Sequence, residues 1–179
     1  MTVSKTNELD AVSTGTPVAT QLASFGAGCF WGVEQILSRL PGVTGTAVGY
    51  MGGTVAKPTY EQVCRGTTEH AEVVQVSFDP ERISYEALID VFWHLHDPTE
   101  VNRQGPDVGR QYRSMVFTHD EAQATIANAT RDAIDASGTL RRKVATEIVP
   151  ATTFWKGEVY HQQYFDRRGV DGCHLYPAW

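Results

Sequence analysis

Apolar residues along most of the chain follow two alternating patterns, short continuous runs and runs at helical spacing. The short runs predict strands at residues 22–25, 43–50, 71–78, 114–118 and 144–149. Large apolar residues at helical spacing predict three helices, within residues 30–40, 88–95 and 120–138. Strands interleaved with helices are typical of a two-layer domain in which helices pack on a sheet.

The alternation predicts an α/β (α+β) two-layer sandwich with a mixed sheet and helices packed on it. For its core we expect a ferredoxin-like, plait-type arrangement. Residues 97–113 are polar and rich in Pro and Gly, so we expect a long loop, which inside a compact domain is commonly functional. The stretch after residue 149 is expected to be loop-rich. Residues 1–20 contain few large apolar side chains and predict a flexible tail. We expect one domain over residues 21–179, with a mobile C-terminal segment at 166–179.

The composition narrows the possible partners and the compartment. The chain has 179 residues, 41% of them hydrophobic, a formal net charge of -6 and three cysteines. A chain of this length buries a core without disulfides, and its negative charge provides no basic surface for nucleic acid. It has no apolar run of the about 18 residues that a membrane span requires, and no signal-peptide pattern. Three scattered cysteines indicate a reducing compartment, so we expect a cytoplasmic protein.

Cys29 stands where a predicted strand ends and a predicted helix begins, behind Gly26 and Gly28. Backbone N–H groups and the helix dipole at a helix start stabilise a thiolate, so we expect a lowered thiol pKa. The glycines leave room for atoms of another molecule close to the backbone. The alternative is a buried cysteine that packs as a small hydrophobe, which is common for a lone cysteine. The order strand, glycine, cysteine, helix favours a nucleophile.

Two aromatic residues follow Cys29 directly and favour an apolar pocket beside the thiol. Phe30 lies on the apolar stripe of the predicted helix, so it can serve the core as well as a pocket. Trp31 lies about a hundred degrees round the helix from that stripe, and core burial explains it less well. We interpret the pair as holding a small methyl or thioether group against the sulfur.

A carboxylate occurs on the apolar face of the strand predicted at residues 71–78. Period-two alternation puts Glu72 on the side of Val74, Val76 and Phe78. If that face is the core, desolvation raises the pKa of Glu72 and keeps its carboxyl protonated near neutral pH, ready to donate a proton. The alternative, a strand-end glutamate that reaches water, stays open at this point.

The residues around Cys29 resemble the signature of the A-type methionine sulfoxide reductase family, and the resemblance continues in family order over about residues 21–173. The matching motifs are Gly28-Cys29-Phe30-Trp31-Gly32 with Glu34, Val48-Gly49-Tyr50 with Gly52-Gly53, Pro58-Thr59-Tyr60, His70-Ala71-Glu72, His96-Asp97-Pro98-Thr99, Gln104-Gly105 with Asp107-Val108-Gly109, Gln111-Tyr112-Arg113-Ser114 and His161-Gln162-Gln163-Tyr164. The chain departs from the family pattern at Met51, Glu69 and Gly172.

The resemblance implies roles for the residues in these motifs. Cys29 is then the catalytic nucleophile, and Glu72 is the acid that protonates the sulfoxide oxygen. Tyr60 and Tyr112 match tyrosines that hydrogen-bond that oxygen. The other matches are with residues that bind the substrate or hold the site together, namely Phe30, Trp31, Asp107 and Tyr164. Without the resemblance, either tyrosine alone would be interpreted as an ordinary half-buried residue.

The resemblance also divides the three cysteines. It implies that the sulfenic acid left on Cys29 condenses with Cys173, which follows Gly172 near the C-terminus, to form a disulfide and release water. A thioredoxin-type dithiol would then restore both thiols. The alternative for Cys173 is a tail thiol without a role. Cys64 matches a cysteine outside this relay, and we interpret it as structural.

We therefore expect a reductase that returns methionine S-sulfoxide, in oxidised proteins and as the free amino acid, to methionine and so repairs oxidative damage. The protein is expected to act as a monomer and to take electrons from thioredoxin or a similar dithiol. We expect no organic cofactor and no metal, since there is no Cys-x-x-Cys pair and the spacing of His94 and His96 does not suit zinc. Nucleic acid and membranes are not expected as partners.

Two other classes of function stay open. A cysteine hydrolase or acyltransferase would pair Cys29 with a histidine base. A non-catalytic protein could bind oxidised methionine in the same aromatic pocket. The carboxylic acid predicted at Glu72 suits proton donation better than base catalysis, which favours the reductase over the hydrolase.

Overall fold

The sheet at the centre of the molecule is mixed, with one parallel pair among antiparallel neighbours. The computed structural model describes residues 19–172. The strands are β1 (Gln21–Gly26), β2 (Val43–Met51), β3 (Ala71–Phe78), β4 (Arg103–Gln104), β5 (Asp107–Val108), β6 (Met115–Thr118), β7 (Glu147–Pro150) and β8 (Trp155–Lys156). The helices are α1 (Phe30–Ser38), α2 (Tyr60–Cys64), α3 (Tyr85–His94) and α4 (Glu121–Ser137). The order in the main sheet is β7-β6-β1-β3-β2-β8, where β6 and β7 are parallel, and β4 pairs with β5 in a separate hairpin.

Four strands and two helices of this set form a β-α-β-β-α-β core. In chain order the core is β1, α1, β2, β3, α3 and β6, and its strands lie side by side as β6-β1-β3-β2. This is the ferredoxin-like, plait-type arrangement. The predicted mixed sheet with helices packed on it is therefore confirmed, and the short helix α2 is an insertion between β2 and β3.

The two faces of the sheet bury different residues, because side chains alternate along each strand. Val74, Val76 and Phe78 of β3 belong to the main core, which β1, α1 and α3 also line. Val73 belongs to a smaller cluster on the opposite face, against which Phe154 packs. The same alternation puts Glu72 on the helix-covered face, as the sequence predicted.

Helix α4 starts and stops where the sequence indicated. The Asp120 side chain accepts a hydrogen bond from the Gln123 N–H at 2.8 Å, and Gly138 ends the helix in the left-handed conformation. In a capping box the Gln123 side chain would accept from the N–H of the N-cap residue, Asp120. Here it accepts instead from the N–H of the preceding residue, His119, at 3.0 Å.

Several short elements differ from the prediction. Residues 97–113 are not a plain loop, because they contain the β4-β5 hairpin and a 3-10 turn at Arg110–Tyr112. Strand β7 begins at Glu147 rather than at residue 144, and β8 pairs with β2 in the stretch expected to be loop-rich. Helix α2 was not predicted, although a Thr59–Gln62 capping box marks its start. Elements of two to five residues are too short to show a period, and long-range pairing decides them.

Residues 1–18 and 173–179 lie outside the described part of the chain. The flexible tail at 1–20 and the mobile segment at 166–179 therefore stay predictions. Between residues 19 and 172, none of the helices has the length and apolar character needed to cross a bilayer.

Gly49 allows the edge contact between β2 and β8. A Cβ atom built on Gly49 would overlap the Trp155 carbonyl oxygen and come within 2.7 Å of the Phe154 ring. The backbone of residues 154–157, which leads into the segment beyond β8, therefore packs directly on the glycine.

The Gly49→Ala protein is expected to be less stable than the parent by about 1–3 kcal/mol, because overpacking forces the β8 edge away from β2. Guanidinium unfolding followed by circular dichroism measures the difference. Gly45→Ala on the same strand is the matched control, since the nearest atom to its Cβ is Ser77 Cβ at 4.0 Å. The control should equal the parent or gain about 0.5–1 kcal/mol, and equal stability of the two variants would contradict the contact.

Candidate active site

Cys29 is the residue at which the chain turns from β1 into α1. The preceding Gly28 has φ +86, in the left-handed region that favours glycine. A Cβ on Gly28 would lie 2.7 Å from Gln104 Cβ. The space expected at this glycine for another molecule is therefore filled by Gln104 of β4. This contact holds the β4-β5 hairpin beside the half-buried Cys29.

Glu72 lies against the first turn of α1 with its carboxyl group buried. The residue is 2% exposed, and its Oε2 accepts a hydrogen bond from the Phe30 N–H at 3.1 Å. Burial raises the pKa of Glu72 to about 8, although the hydrogen bond from Phe30 lowers it. The carboxyl is therefore mostly protonated at neutral pH. A strand-end glutamate that reaches water, the alternative left open by the sequence, is excluded.

The Cys29 thiol is also neutral in the resting site. Burial raises its pKa to about 12, the charge of Glu72 raises it next, and a hydrogen bond from the Trp31 N–H lowers it. The expectation of a lowered thiol pKa is therefore wrong for this state. The physical reason is that desolvation of the sulfur and the charge of Glu72 outweigh the hydrogen bond from the Trp31 N–H. The first N–H of α1, on Phe30, binds Glu72 rather than the sulfur.

Tyr60, Tyr112 and Asp107 reach this site from three further segments. Tyr60 is the first residue of α2, Tyr112 ends the 3-10 turn, and Asp107 lies in β5. Burial is the main cause that raises the pKa of both phenols, and the charge of Glu72 raises both as well. Asp107 acts in the same direction on the pKa of Cys29, Glu72 and Tyr112. Both hydroxyl groups therefore stay protonated and can donate hydrogen bonds.

Trp31 and Phe30 occupy different environments. Trp31 is half-buried and stacks on Tyr164, with ring centroids 3.7 Å apart and an interplanar angle of 5°. The Arg168 guanidinium lies 3.6 Å from the Tyr164 ring centroid. Phe30 is fully buried in the main core, where its ring contacts Tyr50. Trp31 and Tyr164 thus form a partly open aromatic wall, and Phe30 supports it from the core.

Two residues of the segment after β8 were missed as contributors to the site. His161 Nδ1 accepts a hydrogen bond from Trp31 Nε1 at 3.0 Å. Glu158 accepts from the Tyr50 hydroxyl and from the Tyr60 N–H, each at 2.8 Å. His161 lies in the motif His161-Gln162-Gln163-Tyr164, which by itself indicates no contact with Trp31. Glu158 follows a two-residue strand that was not predicted, so no local signal indicated its position.

The end of the described chain is held along α1. Gln35 Nε2 donates to Asp166 Oδ1 at 2.8 Å and to the Val170 carbonyl at 2.9 Å, and Gln35 Oε1 accepts from the Gly172 N–H at 2.7 Å. Arg39 binds Asp166 and Asp171 at 3.0 Å each. Cys173 is the next residue and lies outside the described residues. Its position relative to Cys29 therefore stays a prediction.

Cys64 is the last residue of α2 and lies next to Tyr60. Its side chain is exposed and hydrogen-bonds the Tyr60 side chain. In residues 19–172, histidine, cysteine and acidic side chains nowhere gather in a group of three or more that could hold a metal ion. The expectation of a site without metal or organic cofactor stays a prediction.

Residues 21–178 match the family model for peptide methionine sulfoxide reductase. The chain belongs to this family. A relative named peptide methionine sulfoxide reductase MsrA, from Methanoculleus marisnigri, is 59% identical over 151 residues, which are 84% of this chain and 92% of the relative. The chain is accordingly an oxidoreductase of this family.

Solved structures of the family share the fold. The reduced form of Mxr1 from Saccharomyces cerevisiae has a TM-score of 0.82 and 34% identity, over 91% of this chain and 95% of that chain. A structure of Mxr1 in complex with Trx2 has a TM-score of 0.58 and 24% identity, over 93% and 94% of the two chains. That second likeness supports the fold alone.

Removing the negative charge of Glu72 is expected to lower the pKa of the Cys29 thiol, because that charge raises the thiol pKa in the parent protein. In a background with Cys64→Ser and Cys173→Ser, Glu72→Gln should speed alkylation of Cys29 by iodoacetamide at pH 9. Asp107→Asn should have the same effect but smaller, because the Asp107 contribution is the smaller one. The Glu72→Gln effect should shrink below about pH 8, where Glu72 is protonated in the parent. Slower alkylation of Glu72→Gln than of the parent would contradict this electrostatic coupling.

Proposed function

We propose that the chain reduces methionine S-sulfoxide, free and in proteins, by attack of Cys29 on the sulfoxide sulfur while Glu72 protonates the oxygen. The observation that carries this proposal is the buried carboxyl of Glu72, whose pKa is raised to about 8, beside the first N–H after Cys29. Loss of the oxygen from a sulfoxide requires a proton, because the oxygen is otherwise too basic to leave the methionine sulfur. A protonated acid next to a thiol supplies that requirement.

The first step balances in atoms and electrons. The proton of Glu72 goes to the sulfoxide oxygen, and the thiol proton of Cys29 replaces it on Glu72. The attack forms a bond between the Cys29 sulfur and the methionine sulfur. That bond and the methionine S–O bond then break as the hydroxyl group is transferred to the Cys29 sulfur, so the methionine sulfur gains two electrons and the cysteine sulfur loses two. The products are methionine and a sulfenic acid on Cys29.

The remaining site residues would bind and orient the substrate. The hydroxyl group of Tyr112 donates a hydrogen bond to the oxygen, where negative charge develops, and the hydroxyl group of Tyr60 does the same once it leaves the Cys64 side chain. Trp31, supported by Phe30 and Tyr164, contacts the methyl group of the methionine. Asp107 helps to keep Glu72 protonated, since its charge raises the pKa of that carboxyl group.

Cys173 would resolve the sulfenic acid. Its thiol attacks the Cys29 sulfur, which forms a disulfide and releases the hydroxyl group as water. Gln35, which holds the Gly172 N–H at 2.7 Å, lies about 9 Å further along α1 than Cys29, at about 1.5 Å per residue. Disulfide-bonded cysteines have Cα atoms roughly 4.4–6.8 Å apart. Formation of the disulfide therefore requires the chain after Gly172 to bring the Cα atom of Cys173 within that distance of Cys29.

Thioredoxin or a similar dithiol would reduce the disulfide and return both thiols to the site. Mxr1 from Saccharomyces cerevisiae, a structural relative, has been solved in complex with Trx2. We extend that partner class to this chain as a proposal. We also propose that the protein is a monomer. We propose a cytoplasmic location as well, because that compartment would provide such reductants.

The two alternative functions have weaker support. A cysteine hydrolase needs a histidine base next to the thiol, whereas His161 accepts a hydrogen bond from Trp31 and burial lowers its pKa. A non-catalytic binder of oxidised methionine would not need a protonated carboxyl beside a thiol. Trapping with dimedone after addition of the sulfoxide separates the binder, because only the reductase forms a sulfenic acid.

Removing the resolving thiol should stop the enzyme after one turnover. Cys173→Ser is expected to release about one methionine per enzyme, because Cys29 stays as sulfenic acid when no second thiol condenses with it. Cys29→Ser should release none. Quantified methionine with thioredoxin present measures both, and Cys64→Ser is the control that should keep turning over. Continued turnover of Cys173→Ser with thioredoxin would remove Cys173 from the mechanism.

Glu72→Gln should slow the first step by about 100-fold or more, because general-acid catalysis is lost. Methionine release in single turnover, measured in the Cys173→Ser background, reports this step. In the parent the rate should fall as the pH rises through about 8, where Glu72 loses its proton. Glu34→Gln is the control. It replaces a different buried carboxylate, which lies on α1, and should keep the fall in rate above about pH 8. A Glu72→Gln protein that keeps the same fall would assign the proton to a different group.

A further inference from the structure

We propose that Gln104 is a positioning residue, whose side-chain amide sets how close the Asp107 carboxylate lies to Cys29 and Glu72. The inference rests on the proposed function, because it takes Glu72 as the proton donor of the first step. Gln104 takes no part in the bond-making steps themselves. It acts through the β4-β5 hairpin, which carries Asp107.

One face of the β4-β5 hairpin is turned toward the start of α1. Gln104 and Asp107 are partners in the hairpin register, so their side chains lie on the same face. A Cβ atom on Gly28 would lie 2.7 Å from Gln104 Cβ and 2.9 Å from Gln104 Cγ. Val108 lies on the opposite face and is exposed. The face that carries Asp107 is therefore the face next to Cys29.

The Gln104 amide attaches the hairpin to the backbone of Asp97, which follows shortly after α3. Gln104 Oε1 accepts from the Asp97 N–H and Gln104 Nε2 donates to the Asp97 carbonyl, each at 3.0 Å. Two directional hydrogen bonds to one residue leave the side chain a single orientation. Asp97 is itself held, because its Oδ1 accepts from the Thr99 N–H at 2.8 Å and from the Thr99 hydroxyl at 2.6 Å. The amide therefore ties the hairpin to a fixed point outside it.

Two further contacts shape the hairpin without attaching it to the rest of the domain. The Gly105 N–H donates to Glu100 Oε2 at 2.6 Å, and the Gly109 N–H donates to the Asn102 carbonyl at 2.9 Å. All four of these residues belong to the hairpin segment. Loss of the Gln104 amide would therefore leave the hairpin formed and loosen its attachment beside the thiol.

The charge of Asp107 makes the position of the hairpin measurable. Burial is the main cause that raises the pKa of Glu72 and of Cys29, and the charge of Asp107 raises both further. The titratable groups that face Glu72 from the elements around it are Cys29, Tyr50, Tyr60, Cys64, Asp107 and Tyr112. Those that face Cys29 are Glu72, Asp107 and Tyr112. Of all these groups Asp107 is the one on the hairpin. Because a charge acts less strongly at a greater distance, a hairpin that moves away lowers both pKa values.

Gln104→Met removes the amide and keeps the Cβ and Cγ atoms that pack on Gly28. In the Cys173→Ser background, the single-turnover rate of this variant should fall at a lower pH than that of the parent, because the pKa of Glu72 drops. The downward shift should be no larger than that of Asp107→Asn, which removes the charge itself. If Gln104→Met fails to fold, Gln104→Asn replaces it. Its side chain is one methylene too short to reach both backbone groups, so its profile should shift in the same direction.

Gln123→Met is the matched control for a purely structural effect. The Gln123 amide also binds two backbone groups, the His119 N–H at 3.0 Å and the Leu22 carbonyl at 2.7 Å, at the opposite end of β1 from Cys29. Thermal unfolding should show that both methionine variants lose stability, whereas only Gln104→Met should shift the pH profile. An equal shift in Gln123→Met, or an unshifted profile in folded Gln104→Met, would overturn the proposal.

Alkylation of Cys29 tests the inference without any sulfoxide. In a background with Cys64→Ser and Cys173→Ser, Gln104→Met should speed the reaction with iodoacetamide at pH 9, as Asp107→Asn does. In the Asp107→Asn protein, Gln104→Met should add nothing, because the charge is already absent. A full further increase in that protein would mean that the hairpin only shields the thiol, and it would refute the role of Gln104.

These results separate the inference from the proposed function. A parent protein that produces no methionine from the sulfoxide would refute the proposed function, and the alkylation rates would still test the role of Gln104. An active parent whose pH profile is unchanged in folded Gln104→Met and Gln104→Asn would refute only the positioning role.

Discussion

Desolvation of one carboxyl group is the constraint on which the rest of the site depends. Glu72 is buried because strand alternation places it on the helix-covered face of the sheet, and it takes the first N–H of α1. That single contact joins β3 to the residue after Cys29. The thiol is not activated in advance, because its desolvation and the charge of Glu72 outweigh the hydrogen bond that it receives from the Trp31 N–H. Before substrate binds, the proton to be donated is therefore on Glu72.

The second half of the site comes from the C-terminal part of the chain. His161 and Tyr164 hold the Trp31 ring, and Glu158 holds the backbone of Tyr60. Neither Trp31 nor Tyr60 is therefore positioned by its own helix alone. The close packing of β8 on Gly49 matters for the same reason, since it fixes where this supporting segment begins.

The sequence predicts the parts of this arrangement that depend on local pattern. The core strands, α1, α3 and α4 follow from periodicity, and the burial of Glu72 follows from period two along β3. The direction of the Cys29 pKa shift was predicted wrongly, because desolvation and the charge of Glu72 outweigh the effect of the Trp31 N–H that binds the sulfur. Which acceptor the Phe30 N–H binds depends on β3, far away in sequence. Glu158 and β8 were missed for the same reason.

The end of the described chain has two roles, because it contacts Trp31 and is also bound by Gln35 and Arg39. Residues 163–172 supply a wall of the pocket through Tyr164, and they also carry the chain toward Cys173. A substitution that shifted this segment would therefore move the ring that stacks on Trp31 and the backbone that leads to residue 173 together.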